Sequence, residues 1–363
     1  MSARLDEAPI VAENYSEDWQ EITTHPSFPF IPDTSFSPFL AVGMALGDAA
    51  RPYYKVVGQF NHIAAKDWPQ LERAFQFYLA EDWARFDTAM SRLLDENWPD
   101  SPDMLQRHDI IHKLLLVIMA PLDPSGRYTG MQAEIWQRAQ PSQELVSYVR
   151  QQAVQEELLA LQRRLFRQIA HMIEIRQMWM PVIPFLWLNT LERPAPAGWR
   201  LPGDDFTVLR GSYQQNFELS CQALPLLVAT QNAADGRDAT IIRVDSDSSH
   251  WIPSGLAGGT RSRPPRTLAQ FKRLNAEAKE AFLEKFPVTE ASWLDAFDRH
   301  IRNAIAHADV DEVVATAEIA TGSGATLSYL TFVESLIKQL QLLMLWLNLA
   351  KLFRVYNFLA TQE

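Results

Sequence analysis

The sequence predicts a mostly α protein: a helical N-terminal domain, then a C-terminal helical bundle carrying a small β-hairpin. Three observations predict it. Apolar residues recur at helical spacing over most of the chain from about residue 68. Pro99, Pro102, Pro121, Pro124 and Gly126 punctuate these stretches as helix stops. Near the C-terminus, runs rich in Val, Thr and Ala flank Thr321-Gly322-Ser323-Gly324, the pattern of two short strands and a turn.

Residues 1–35 are rich in Pro, Ser, Thr and acids and read as an extended arm. Within a helical domain of residues 36–192, helices are expected over 68–97, 104–120, 132–139 and in a long run from 143 to about 191. Pro194, Pro196, Gly198, Pro202 and Gly203 crowd residues 193–205, which read as a linker to a second domain of residues 206–363. There, 206–232 reads as a helix interrupted or kinked at Pro225, which has no N–H to donate and crowds the preceding turn. Residues 234–260 read as loop, with a short strand at 240–244. A helix over 268–286 is stopped by Pro287, and another covers 293–307. The hairpin spans 312–319 and 325–331. A final helix opens at Thr331-Phe332-Val333-Glu334, the Thr-x-x-Glu spacing of a capping box.

Hydrophobic residues make up 47% of the 363, with 11 Trp and 19 Phe, so burial can offset the entropy of ordering. Cys221 is the one cysteine; no disulfide can form within the chain, and the reducing cytoplasm fits. Residues 1–7 carry Asp6 and Glu7 beside Arg4 and no apolar core, so no secretory signal is read there. Residues 178–188 are apolar but short, and contain Pro181 and Pro184. Residues 336–353 are long enough to span a bilayer, yet include Lys338, Gln339, Gln341, Asn348 and Lys351. At about 2.5–3.5 kcal/mol per central charge, that segment reads as a buried or interface helix, and no membrane partner is expected.

The formal net charge of −11 argues against a broadly basic, nucleic-acid-coating surface, though not against a local groove. Arg261, Arg263, Arg266, Lys272 and Arg273, with no acid between them, are the local candidates for phosphate contact. The same run also fits a solvated loop leading into a helix.

A bare Arg-x(4–6)-His pattern carries little information, and Arg107 to His112, Arg164 to His171 and Arg243 to His250 also match it. The first two read as ordinary helix-surface or core-edge pairs. Arg302 to His307 differs in its setting. Trp293, Phe297, Ile301 and Ile305 recur every four residues as one apolar stripe. Asn303 and His307 lie one turn apart on the helix, and Arg302 and His307, about 140° apart, straddle the face opposite the stripe. A histidine placed to satisfy a core would sit in the stripe instead. These groups suit RNA cleavage, where the 2′-hydroxyl is the nucleophile and no metal is needed. A histidine titrating near neutrality can move the proton, typically worth ~10²–10⁴-fold. A guanidinium can offer two donors to the phosphate oxygens, and Asn303 can hold the imidazole.

The segment Asp298-Arg299-His300-Ile301-Arg302-Asn303-Ala304-Ile305-Ala306-His307-Ala308 resembles the signature of HEPN domains, in which an Arg, a following polar residue and a His four positions on form the active site. The expected order of two helices, a hairpin and a hydrophobic closing helix is similar too, and the resemblance covers about residues 206–356. It implies a metal-independent endoribonuclease with Arg302, Asn303 and His307 catalytic, no cofactor, and Arg299 joining the basic segment on RNA. It implies a homodimer through the C-terminal domain that completes a composite site. The role implied is an effector of bacterial antiphage defence, abortive infection or toxin–antitoxin growth arrest. An antitoxin or regulatory partner would fit, with residues 36–192 sensing or controlling. The family also includes members that only bind, so a catalytically silent dimerisation, partner- or RNA-binding module is the alternative. One toxin–antitoxin branch continues the motif as His-x-Tyr, its tyrosine a modification target; this chain has Asp309 there, and that regulation is not implied.

Other candidates carry less. His108 and His112 are spaced to share a metal, but Asp109 lies between them and no Glu-x-x-His follows, so a helix-surface pair is the preferred reading. Gly255-Leu256-Ala257-Gly258-Gly259 lacks the lysine and the strand–loop–helix setting of a phosphate loop and reads as flexible loop. Cys221 reads as a core thiol and Met178-Trp179-Met180 as packing.

Overall fold

In the computed structural model the described residues are 38–196, 199, 201, 206–242, 264–285, 296–297, 301–302, 312–313, 318–320 and 326–361. They form a mostly α protein with a small β element near the C-terminus. In chain order the helices are α1 (Pro38–Leu46), α2 (Ala50–His62), α3 (Trp68–Leu79), α4 (Trp83–Leu94), α5 (Met104–Met119), α6 (Arg127–Arg138) and α7 (Gln143–Val149). There follow α8 (Gln152–Glu174), α9 (Arg176–Trp179), α10 (Ile183–Thr190), α11 (Phe206–Ala234), α12 (Leu268–Lys272), α13 (Ala276–Lys285) and α14 (Tyr329–Ala360).

Local chemistry sets the boundaries. The expected helix over 68–97 breaks at Glu81, whose φ of +58° ends α3, and Asp82 opens α4 by accepting the Arg85 N–H at 3.2 Å. A full capping box starts α5: Asp103 Oδ1 accepts from Gln106 N at 2.7 Å and Gln106 Oε1 from Asp103 N at 2.8 Å. The long run expected from 143 to about 191 is divided among α7, α8, α9 and α10, with Pro181 in the turn before α10. The helix expected over 268–286 is likewise two pieces, because Asn275 turns its Oδ1 to the Ala278 N–H at 2.8 Å and starts α13 afresh. The loop–strand reading at 240–244 reduces to one bridge, Ile241 to Thr267; residues 243–244 lie outside the described residues. So does the arm expected at 1–35.

The hairpin expected over 312–319 and 325–331 is present in shorter form, as β2 (Glu318–Ala320) against β3 (Thr326–Ser328), Ile319 opposite Leu327. Its first arm is divided, because β1 (Glu312–Val313) pairs antiparallel with β2, and residues 329–331 are helical. Here the capping expectation is corrected. Ser328, at the end of β3, caps α14 by accepting the Thr331 N–H at 3.0 Å, so Thr331 is already inside the helix. Glu334 is therefore released from the box and accepts instead from Asn189 of α10 at 2.9 Å.

The closing helix α14 is the axis of the core. It packs on α11 and α8 most extensively and on α5, α6 and α7 beside them. Its most apolar window is 78% buried, so its membrane-like composition is spent on these neighbours. Two of the polar residues that interrupt it donate across the core: Gln341 to the Leu122 carbonyl at 2.7 Å and Asn348 to Tyr128 Oη at 2.9 Å. Arg354 reaches Glu81 at 2.6 Å and Gln162 at 3.2 Å.

Consequently the core is one cluster running from Val42 to Tyr356. Residues 193–205 mark a change in composition, yet no change of core: the elements before and after them share α14, and Arg193 itself donates to the carbonyls of Ala45 and Leu46 at 3.2 and 2.8 Å. A fragment of residues 200–363 would expose the sides of α14 that face α5 to α8. It is expected to show no cooperative unfolding transition by circular dichroism, whereas the full chain does. Within the full chain, Leu343→Ala is expected to cost about 2–5 kcal/mol in denaturant titration, because Leu343 is fully buried. Leu359→Ala, on a side chain 41% exposed, should cost far less.

Candidate functional site

One face of α11 organises the site. Residues Glu218, Cys221, Gln222 and Pro225 follow one another at helical spacing. Phe297 is buried and meets Phe217 edge-on at 5.8 Å between ring centroids, and Ile301 is buried beside it. The stripe expected of the 293–307 helix thus faces inward at both positions described, while Trp293 and Ile305 lie outside the described residues. Ile301 and Arg302 are helical, and Arg302 leaves the buried side at once. Its guanidinium passes over the Phe217 ring at 5.9 Å and donates to Glu218 Oε1 at 3.2 Å, with the two side chains 35% and 55% exposed.

Asn303, His307 and Arg299 lie outside the described residues, as do Arg261 and Arg263 of the basic segment. Arg266, Lys272 and Arg273 are exposed around α12. Lys272 forms an ion pair with Glu157 of α8 and so ties that corner to the N-terminal helices. The described residues therefore bring Arg302 together with Glu218, and Lys272 with Glu157; neither acid was legible as a partner.

Between these two pairs sits a group that sequence reasoning did not single out. Pro225 lies inside α11, which continues through it to Ala234. Without an N–H, Pro225 cannot take the Cys221 carbonyl four residues earlier, and that carbonyl would be a buried orphan. Lys279 of α13 supplies the missing donor, Nζ to Cys221 O at 3.1 Å. Of the interruption or kink expected at Pro225, the interruption is absent, and Lys279 serves the carbonyl that the proline leaves. Lys279 is 6% exposed; burial pulls its pKa down, partly offset by the Cys221 thiol and Glu218. Burial pushes the Cys221 thiol up to about 12, which fits the expected core thiol. Arg302 and Lys279 both act on that thiol, so the two cations share one neighbourhood on α11.

His108 corrects the surface-pair reading. It is 3% exposed, with Nδ1 2.5 Å from Tyr78 Oη, in a buried corner with Trp83 and Arg354. Of the His112 side chain, nothing is described. Among the described residues no group of three or more His, Cys, Asp or Glu is placed to hold a metal ion. In the Arg164–His171 pair, His171 approaches Ser212 Oγ at 3.2 Å while Arg164 donates to Gln222 at 2.6 Å, so the two serve different contacts. Trp179 and Met180 are buried, with Met178 packed against the core, as packing residues should be. Residues 243–263, with the Arg243–His250 pair and the glycine-rich run, lie outside the described residues.

Compared with known proteins, the chain matches no family model, no curated protein and no solved structure.

The buried histidine gives a pH dependence. Desolvation first, then Arg354, Lys351 and Arg107, lower its pKa to about 3, against about 6.5 in an unfolded chain. Between these values the unfolded chain takes up a proton that the native state refuses. Stability from this residue is therefore complete above about pH 6.5 and is lost as pH falls toward 3. Urea titrations from pH 8 to pH 4 should show stability declining below pH 6.5, with a flatter decline in His108→Gln. An unchanged slope in that variant would place the acid sensitivity elsewhere.

Proposed function

We propose that the chain is a metal-independent endoribonuclease with an HEPN-type site, in which His307 transfers the proton, Arg302 stabilises phosphate charge and Asn303 orients the imidazole. The setting of Arg302 carries this reading. It is held by a buried Phe297–Ile301 stripe against Phe217, so its backbone is fixed while its guanidinium remains at the surface. Its pairing with Glu218 does not disqualify it. A pair this exposed is worth about 0–1 kcal/mol, and a two-donor bond to phosphate can displace it. Glu218 in this reading occupies the guanidinium until RNA arrives. A second copy would complete the composite site across the outward face, contributing its own Arg and His. The apolar closing helix is not that contact surface, because it is buried within one chain. An effector role in bacterial defence or toxin-type growth arrest, in the cytoplasm, follows from the resemblance.

A second reading, a silent module that binds RNA, a partner or another copy, is favoured by the same Glu218 contact together with the net charge of −11. Cleavage separates the two. With single-stranded RNA and EDTA present, the full chain should cut and leave 2′,3′-cyclic phosphate ends. Arg302→Ala and His307→Ala should each slow cleavage by at least ~100-fold. Arg302→Lys should also be poor, since one ammonium cannot reproduce the fork. Glu218→Gln, which removes the competing carboxylate, should tighten RNA binding. RNA binding without cleavage by the wild type would select the silent module; full activity in folded His307→Ala would remove the assignment.

A further inference from the structure

Where α8 meets the corner of α11, α12 and α13 there is a cleft of about 330 Å³, within the ~300–1,000 Å³ range of small-molecule sites. Its floor is apolar and buried: Leu158 and Leu161 of α8, Pro225 and Leu226 of α11, and the ring of Tyr148 at the end of α7. Its rim is exposed and polar, with Arg164, Gln222, Lys272 and Glu157. At its base is Lys279, 6% exposed. The lining thus holds three cations and one carboxylate, in a chain whose formal net charge is −11.

The cations are positioned rather than loose. Lys279 is anchored on the carbonyl that Pro225 leaves free, and this bond uses one of the three donors of an ammonium. Arg164 is held by Gln222 at 2.6 Å, and Lys272 by Glu157. Both rim contacts lie at the surface, so an incoming anion can replace them at small cost. A buried ammonium is costly, and an anion brought within reach of Lys279 would offset that cost. The guanidinium fork of Arg164 matches phosphate oxygens, with the two lysines adding point charges. The apolar floor beneath them, with an aromatic wall, suits a planar ring system and not a bare ion.

We propose that this cleft binds a mononucleotide, its phosphate among Arg164, Lys272 and Lys279 and its base on the floor between α8 and Leu226. The ligand spans the N-terminal helix α8 and the α11–α13 corner, on the α11 face whose Glu218 pairs with Arg302. The cleft shares Lys272 with the basic segment read above as a phosphate contact, but binding is measured without RNA, so its failure and the failure of the cleavage reading are distinguishable.

The test is calorimetric titration of the full chain with AMP at low salt and pH 7, with inorganic phosphate and adenosine in parallel. AMP should saturate at one per chain, with phosphate alone and adenosine alone each at least about tenfold weaker. Arg164→Gln and Lys272→Gln should each weaken AMP about tenfold while leaving the unliganded melting temperature unchanged, since both side chains are exposed. Lys279→Met should abolish binding; if it also unfolds the chain, the two rim variants still decide. Absence of saturation, equal binding of phosphate or adenosine, or AMP affinity unchanged in both rim variants would overturn the proposal.

Discussion

The structure depends on a single constraint: a helix of 32 residues, apolar on nearly every side, must be kept from water. A helix with one apolar stripe can lie on a surface, whereas one with apolar residues all round must be enclosed. Enclosing α14 takes helices drawn from both halves of the chain, and this is why a sequence with a clear Pro/Gly boundary at 193–205 folds around one core. Any motion of the C-terminal half relative to the N-terminal half must therefore pass through α14.

Enclosure alone would leave the helix free to slide or rotate, since apolar contacts are not directional. The polar residues on α14 remove that freedom. Gln341, Asn348 and Arg354 each find a partner on a different element, and Tyr356 donates to the Ala139 carbonyl at 2.6 Å. A one-residue shift would strand several buried polar groups together, each costing about 1–3 kcal/mol. Gln341 and Asn348, two of the residues that argue against a bilayer span in the sequence, thus help to fix the register of a core helix. Near its C-terminal end, Arg354 lies over the Tyr78 ring at 5.1 Å and adds to the burial that lowers the His108 pKa, so the acid sensitivity expected of this residue lies beside this register pin.

Fold class was legible because helical periodicity and the Thr-Gly-Ser-Gly turn are local signals. Breaks were less so. Glu81 takes a positive φ without being glycine or asparagine, and nothing in its neighbourhood announces this. Residues 38–67 carry Tyr53, Val57, Phe60 and Ala64 on one face, a pattern open to reading from the sequence. At the start of α14, Ser328 and Thr331 both fit a cap; β3 continues to Ser328 and settles it. Of the candidate site, the inward stripe of Phe297 and Ile301 was legible and the partner of Arg302 was not, because Glu218 lies 84 residues away. Lys279 left only an indirect trace: a proline inside a helix implies that some donor must reach the carbonyl one turn earlier.

That donor makes part of α11 conditional. Most helices hold their own hydrogen bonds and need neighbours only for burial, but the turn containing Pro225 borrows a bond from α13. Its geometry is thus defined by a side chain brought in by the tertiary fold. Displacing α13 would leave the Cys221 carbonyl without this donor, within the two turns between Glu218 and Leu226. Glu218, at one end of that stretch, pairs with Arg302, and Leu226, at the other, lines the basic cleft, so both rest on a stretch of helix that one side-chain bond completes.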